Sequence, residues 1–273
     1  MKFLYWNINK KPIEDLVVAL AHEHELDIII LSECDFSLSK LLLLINEPVK
    51  RKYSLPFSAV PGPVILIRLP RKSLKIRHDS HGVSVRNLIP PLGLDILIVI
   101  LHLPSKLFYK EDDHALIATR LPEIIEEEEK KIGHQRTIIV GDLNMNPFEP
   151  GVVGSEGLHA VMVRDIAKKK SRFVMDKERI FFYNPMWNHF GDAFSTPPGT
   201  YYYSSSTPVN YYWNMYDQIL IRPDLLDYFD DNNLKILTKA GTVDLLTPSG
   251  IPNKKIASDH LPIMFFLDLI KGE

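Results

Sequence analysis

Short apolar runs broken by turn residues make up most of the chain, and their period predicts its elements. Lys2–Asn7 is rich in aromatic and aliphatic residues and predicts a buried strand. Pro12 then opens a helix in which Ile13, Leu16, Val17, Leu20 and Ala21 recur at helical spacing; proline suits a first turn because that turn's N–H is unpaired anyway. Residues 27–31 form a short β-branched run, the pattern of a strand covered on both faces. Residues 41–45 fall in a second helix. From residue 64 to 101 the pattern changes to successive strands, at 64–69, 74–77, 82–88 and 94–101, separated by Pro70, Asp79 and Pro90-Pro91-Leu92-Gly93. A helix is expected over about 111–131, with the glutamates at 126–129 on its solvated face. Residues 137–140 form another buried strand and 155–163 another helix, and strands at Asp217–Ile221 and 261–267 close the chain. Strands alternate with helices in both halves, with hairpin-like strands between them. That predicts an α/β architecture of two or four layers in a single domain over residues 1–273.

Composition narrows the classes. At 45% hydrophobic residues the chain can fill a core, which excludes disorder as the default. Its 32 basic and 34 acidic residues leave a net charge of −2, so bulk positive charge is not what would hold a polyanion. Any such partner must be gripped locally, for instance through a bound cation. The one cysteine, Cys34, rules out an intramolecular disulfide framework and fits a reducing compartment. The N-terminal residues lack the apolar stretch of a signal peptide, and the apolar run at 96–101 is far too short for a bilayer. A soluble, cytoplasmic protein without a membrane segment is expected; the oligomeric state is left open.

The informative feature is the set of polar residues just past the strands. Lys2–Asn7 ends in Asn7, with Asn9 close behind, and the 27–31 run leads to Glu33. The 94–101 run leads to His102, the 137–140 run to Asp142 and Asn144, and Ser258-Asp259-His260 precedes the last strand. Ligands gather at strand ends because the sheet fixes the backbone there while loops stay free. Each cluster alone has a plain reading. Asn caps turns well, Glu33 would suit a surface, and His102 would suit a hydrogen-bonded core site. Their joint order is another matter.

The ordered set Trp6-Asn7-Ile8-Asn9, Leu31-Ser32-Glu33, His102-Leu103-Pro104, Gly141-Asp142-Leu143-Asn144, Tyr216-Asp217-Gln218-Ile219-Leu220 and Ser258-Asp259-His260-Leu261-Pro262 resembles the endonuclease/exonuclease/phosphatase (DNase I-like) superfamily. The resemblance runs from Trp6 to Pro262, and the fourth and sixth segments are its most specific. It implies a sandwich of two mainly antiparallel sheets flanked by helices in four layers, with the site at one edge. It also implies a phosphoesterase that uses Mg²⁺ or Mn²⁺. Mg²⁺ is a hard cation that takes one or two carboxylates plus water and substrate oxygens. The resemblance assigns Glu33 as its first ligand, with Asn7 and Asp259 near it, and allows a second metal near Asp142 and Asn144. Asp142 would orient or deprotonate the attacking water, Asn144 and Asn7 would bind the phosphate, and His260 would touch the phosphate or share a proton. Asp217 would hold the other nitrogen of His260, and His102 would contact the phosphoryl oxygens or serve near the leaving group.

Two departures bear on substrate. Asn9 stands where some DNA-repair members carry an aspartate, and Arg68, Arg77 and Arg86 are only unplaced stand-ins for a residue that some members set over the phosphate. Residues 200–213 contain Tyr201, Tyr202, Tyr203, Tyr211, Tyr212 and Trp213, which suit either stacking on bases or packing along an edge strand. Lys168, Lys169 and Lys170 read as a surface loop, with a phosphate-tracking strip formed together with Arg172 as the alternative. A nuclease acting on nucleic acid is therefore the leading expectation. A phosphatase or phosphodiesterase of a small molecule or lipid headgroup, such as an inositol phosphate or sphingomyelin, comes second, and a non-catalytic binding module third.

Overall fold

In the computed structural model, residues 1–47, 52–56, 62–106, 109–192 and 197–271 are described. One sheet has five strands in the order Lys235–Ile236, Ile263–Phe266, Lys2–Asn7, Ile28–Ser32, Val64–Ile67. The other has seven, in the order Leu74–Ser80, Val83–Leu88, Ile96–His102, Thr137–Asp142, Asp217–Ile221, Phe182–Tyr183, Ala160–Val161. Alternation along the central strands explains the layering. Ile98, Ile100, Ile138, Val140 and Ile219 point into the core shared with the five-stranded sheet. Leu97, Val99, Leu101, Ile139 and Leu220 point the other way, against Ala118, Leu121 and Ile125. Val17, Leu20, Leu41 and Ile45 cover the outer face of the five-stranded sheet from Glu14–Glu23 and Leu38–Ile45. The result is helices, sheet, sheet, helices: two sheets flanked by helices, as the resemblance implied.

Most pairings are antiparallel. Lys2–Asn7 with Ile28–Ser32 and Ile96–His102 with Thr137–Asp142 are parallel, so each of these pairs ends at the same rim.

Three expectations are corrected. The helix expected over 111–131 is two helices, Glu111–Ala118 and Leu121–Ile132, because Pro122 cannot extend a preceding helix and instead sits in the first turn of a new one. No helix spans 155–163. A single turn at Pro150–Val153 is followed by the short strand Ala160–Val161, parallel to Phe182–Tyr183. Here the chain folds tightly back on itself: a Cβ at Gly157 would lie 2.3 Å from the Gly151 carbonyl oxygen. The 126–129 glutamates are only partly a solvated face, since Glu128 and Glu129 are buried and bind Arg77 and Arg222. A hairpin that the hydrophobic pattern does not predict, Ser171–Val174 with Lys177–Ile180, turns at Met175 and Asp176, both at positive φ without the Asn-Gly pair that usually marks such a turn. Among the described residues no helix is long and apolar enough to cross a membrane.

Candidate active site

The common rim of the parallel pairs collects the polar residues. Register sets Asn7 opposite Ser32, His102 opposite Asp142, and Asp142 opposite Asp217. Close backbone approach makes this possible at two glycines. A Cβ at Gly141 would lie 1.9 Å from the Leu101 oxygen, and one at Gly82, where φ is +75°, would lie 2.7 Å from that of His102. Beyond the strands, Glu33 and Asn144 turn at φ 51° and 50°, left-handed values uncommon for non-glycine residues and typical of functional loops.

The two sheets are tied together at the site. Tyr5, in the five-stranded sheet, donates its hydroxyl to Ser32 Oγ at 2.9 Å and accepts the Asp142 backbone N–H at 2.9 Å. Asn7 Nδ2 donates to Glu33 Oε1 at 3.2 Å and to Asp142 Oδ2 at 3.0 Å, while its Oδ1 accepts the Asn9 N–H at 3.0 Å. In this orientation Asn7 positions two carboxylates through its N–H groups. The indole of Trp6 donates to the His260 carbonyl at 2.8 Å, and Ser258 Oγ donates to the Asn7 carbonyl at 2.6 Å while accepting the His260 N–H at 3.1 Å.

Asp142, Asp217 and His260 form the inner group. Asp217 Oδ2 lies 2.8 Å from His260 Nδ1, and His260 Nε2 lies 3.9 Å from Asp142 Oδ2. Burial alone would lower the pKa of His260, but the charge and hydrogen bond of Asp217 and the charge of Asp142 outweigh it and push it up to about 10. Burial raises the pKa of Asp142, and Asp217 adds to that rise. Asp142 Oδ1 accepts the Asn144 N–H at 2.9 Å, which shapes the turn, and Asn144 Nδ2 donates to the Leu103 carbonyl at 2.9 Å. Asp217 Oδ1 is buried and has no hydrogen-bond partner among the described residues.

Glu33 and His102 form the outer group. His102 Nε2 lies 3.4 Å from Glu33 Oε1, and both are part-exposed. The bond from His102 and that from Asn7 hold Glu33 at about 2 despite its burial. Burial opposes protonation of His102, yet Glu33 and Asp142 raise its pKa overall. Asp259 stands beside them, accepting from Asn9 Nδ2 at 2.8 Å. Every residue expected at the site is therefore at this rim.

A cleft of about 440 Å³ opens over it, lined by Glu33, His102, Asp142, Asn144, Asp259 and His260 together with Asn9, Ser105, Lys106, Tyr201, Tyr203 and Tyr216. A second cleft of about 530 Å³ continues past Glu33, His102 and Ser105 toward Lys10, His81 and Cys34. The aromatic segment divides between both expected roles. Tyr201 stacks on Tyr216 at 5.4 Å and leans on His260 at 4.7 Å, facing the cleft. Tyr202 packs on Trp213 at 5.4 Å in the small Tyr201–Tyr202/Trp213–Asn214 ribbon, and Tyr211 packs on Phe148 at 5.2 Å. The candidate arginines are not in the cleft: Arg68 binds Asp27 at 3.1 Å, Arg77 binds Glu128 at 2.9 Å and Arg86 binds Asp79 at 2.7 Å. Lys168, Lys169 and Lys170 are exposed and absent from both cleft linings, and Lys170 pairs with Asp224 at 3.0 Å. Ser105 and Lys106 are cleft residues that the sequence pattern does not single out; their signal is their place just past His102-Leu103-Pro104.

A model of the endonuclease/exonuclease/phosphatase family matches residues 4–260. The chain belongs to that family. It is thereby a hydrolytic phosphoesterase. Among solved structures it is similar to an AP endonuclease from Archaeoglobus fulgidus, at 14% identity and TM-score 0.56, covering 98% of this chain and 99% of that one. It is also similar to the 3′ phosphatase NExo from Neisseria bound to a product DNA hairpin, at 13% identity and TM-score 0.56, covering 98% and 99%. Truncated TDP2 from Caenorhabditis elegans matches at 15% identity and TM-score 0.53, covering 97% of each chain. At these identities the neighbours establish the shared architecture. No curated protein matches the sequence.

The family is typically divalent-metal dependent, and one ligand atom from each of Asp142, Asp217 and His260 lies within 4.8 Å of the others. Donor chemistry separates the candidates. His260, with its pKa near 10 and Nδ1 committed to Asp217, has no free lone pair near neutral pH. Glu33 stays ionised and part-exposed at the cleft, and carboxylate oxygen suits a hard cation.

Proposed function

We propose that residues 1–273 act as one cytoplasmic domain that hydrolyses phosphodiesters in nucleic acid with Mg²⁺ or Mn²⁺. The observation that carries the chemistry is the buried Asp142–His260–Asp217 group facing a cleft whose other wall is Glu33 and His102. Glu33 would hold the metal, with Asn7 and Asp259 completing its surroundings; when bound, the ion polarises the phosphoryl group and stabilises the departing oxygen. Asp142, with its raised pKa, orients the attacking water and takes its proton. His260, cationic and fixed by Asp217, contacts the phosphoryl oxygens. Asn144 uses one amide hydrogen on Leu103 and has the second for the phosphate, and His102 would contact the phosphoryl oxygens or serve near the leaving group. A non-catalytic role would leave two buried carboxylates sharing one imidazolium, with Asp217 Oδ1 unpaired, as a cost without return.

Nucleic acid is favoured because the cleft over the catalytic group adjoins the second cleft past Glu33 and His102 and carries the half-exposed Tyr203 beside Tyr201. The net charge of −2 favours the second reading, a small-molecule or lipid-headgroup diester. Hydrolysis of single- and double-stranded DNA, RNA and a small diester, each with Mg²⁺ and Mn²⁺, separates the two. Polynucleotide cleavage lost in Asp142→Ala and His260→Ala supports the nuclease, whereas turnover of the small diester alone would replace it.

A further inference from the structure

Within the polynucleotide reading, we propose that Lys106 binds a second phosphate of the substrate strand, adjacent to the scissile one, and thereby favours chains with flanking phosphates over isolated diesters. Lys106 Nζ donates to Glu149 Oε1 and stands 5.5 Å from the centroid of the Tyr216 ring, which faces the catalytic cleft. Its anchor is rigid. Glu149 is 1% exposed, and its Oε1 also accepts the Asn146 N–H at 2.8 Å. Asn146 in turn donates to Asn214 Oδ1 at 2.9 Å and accepts the Met215 N–H at 2.9 Å, so the carboxylate is braced against the segment that delivers Tyr216 and Asp217.

A lysine ammonium has three N–H donors, and Glu149 takes one. The side chain remains 27% exposed on the cleft wall. Contact with the Tyr216 face restrains the ammonium without consuming a donor. Electrostatics give this position its effect. Glu33 and Asp259 place acidic side chains on the same cleft, and Lys106 is the one lysine or arginine among the described residues lining it, Lys10 lying in the adjoining second cleft. In the proposed reaction the imidazoles of His102 and His260 serve the scissile phosphate, and Arg68, Arg77 and Arg86 are paired elsewhere. Tyr203, half-exposed and lining the same cleft as Lys106, offers a face for a base of the substrate strand.

The test compares the metal-loaded enzyme on a dinucleotide, which has one diester, and on a longer single-stranded oligonucleotide. Lys106→Gln should lower kcat/KM for the oligonucleotide about tenfold more than for the dinucleotide, through KM, and should reduce the salt slope of oligonucleotide binding by about one. Lys106→Arg should restore most of both. The paired variant Lys106→Gln with Glu149→Gln avoids a stranded buried carboxylate and should show the same length-dependent loss, which guards against a misfolded single variant. Equal loss on both substrates, or an unchanged salt slope, overturns the assignment and makes Lys106 a structural partner of Glu149. A wild-type enzyme that cleaves the small diester but no polynucleotide instead defeats the nuclease reading, and the assignment with it.

Discussion

The strands Thr137–Asp142 and Asp217–Ile221 carry a buried acid–cation group at each end, and the two ends differ in kind. At the far end, Arg222 grips Glu129 through Nε at 2.9 Å and Nη2 at 3.3 Å. Arg222 also donates to the Ile180 carbonyl at 3.0 Å and lies 4.0 Å from the Phe182 ring centroid, while Thr137 Oγ1 donates to Glu129 at 2.6 Å. Charges there are matched one to one. At the cleft end, Asp142 and Asp217 share one imidazole, the pKa of Asp142 is raised, and Asp217 Oδ1 has no partner. Burial is similar at both ends. Hydrogen-bond completeness is what separates a structural ion pair from a site held ready for a substrate and a cation.

The largest expected effect breaks the cleft end. Asp142→Asn should lower the hydrolysis rate by about 10²–10⁴-fold. Metal-free stability should hold or rise at neutral pH. A carboxyl with a raised folded pKa costs stability as pH rises through its unfolded value of 3.8, and the amide removes that cost. Thermal melting beside kinetics checks both halves; a large loss of stability would erase the contrast. Next, Glu129→Ala should cost about 3–5 kcal/mol by stranding Arg222, with kcat per folded molecule retained. Denaturant titration measures the first quantity and active-site-normalised kinetics the second.

A smaller effect sharpens the comparison inside the cleft end. In chelated protein, Asp217→Asn should drop the His260 pKa from about 10 by more than about one unit, read from the ring resonances by NMR. In wild type, the stability from the charged His260 is complete below its unfolded value of 6.5 and disappears as pH climbs through about 10. Smallest is the outer pair. Glu33 adds stability above its unfolded value of 4.5 that is lost as pH falls toward about 2, and His102→Ala should flatten that acid limb. An unchanged limb would mean that His102 does not hold the Glu33 charge.

Much of this was legible along the chain because local period and local chemistry carry it. Lys2–Asn7 and Asp217–Ile221 are apolar runs that meet polar residues at one end, and those boundary residues, Asn7 and Asp217, are at the rim. Failures occur where local pattern is ambiguous. Leu158, His159 and Ala160 are all buried in a segment that also suits a helix, and close packing around Gly157 decides in favour of a turn and strand. Glu128 and Glu129 look like a solvated block until Arg77 and Arg222 arrive from distant strands.

By itself the sequence determined the family, the order of its polar clusters and the sheet-forming runs, since motif spacing and hydrophobic period are properties of neighbouring residues. Only the tertiary structure decided which clusters meet: Asn7 with Asp142, 135 positions away, and Trp6 with His260, 254 away. It also decided that Lys106 is a cleft residue while Arg68, Arg77 and Arg86 are not. Those outcomes depend on strand order and on which partner reaches a buried charge first, and neither is written in any local stretch of chain.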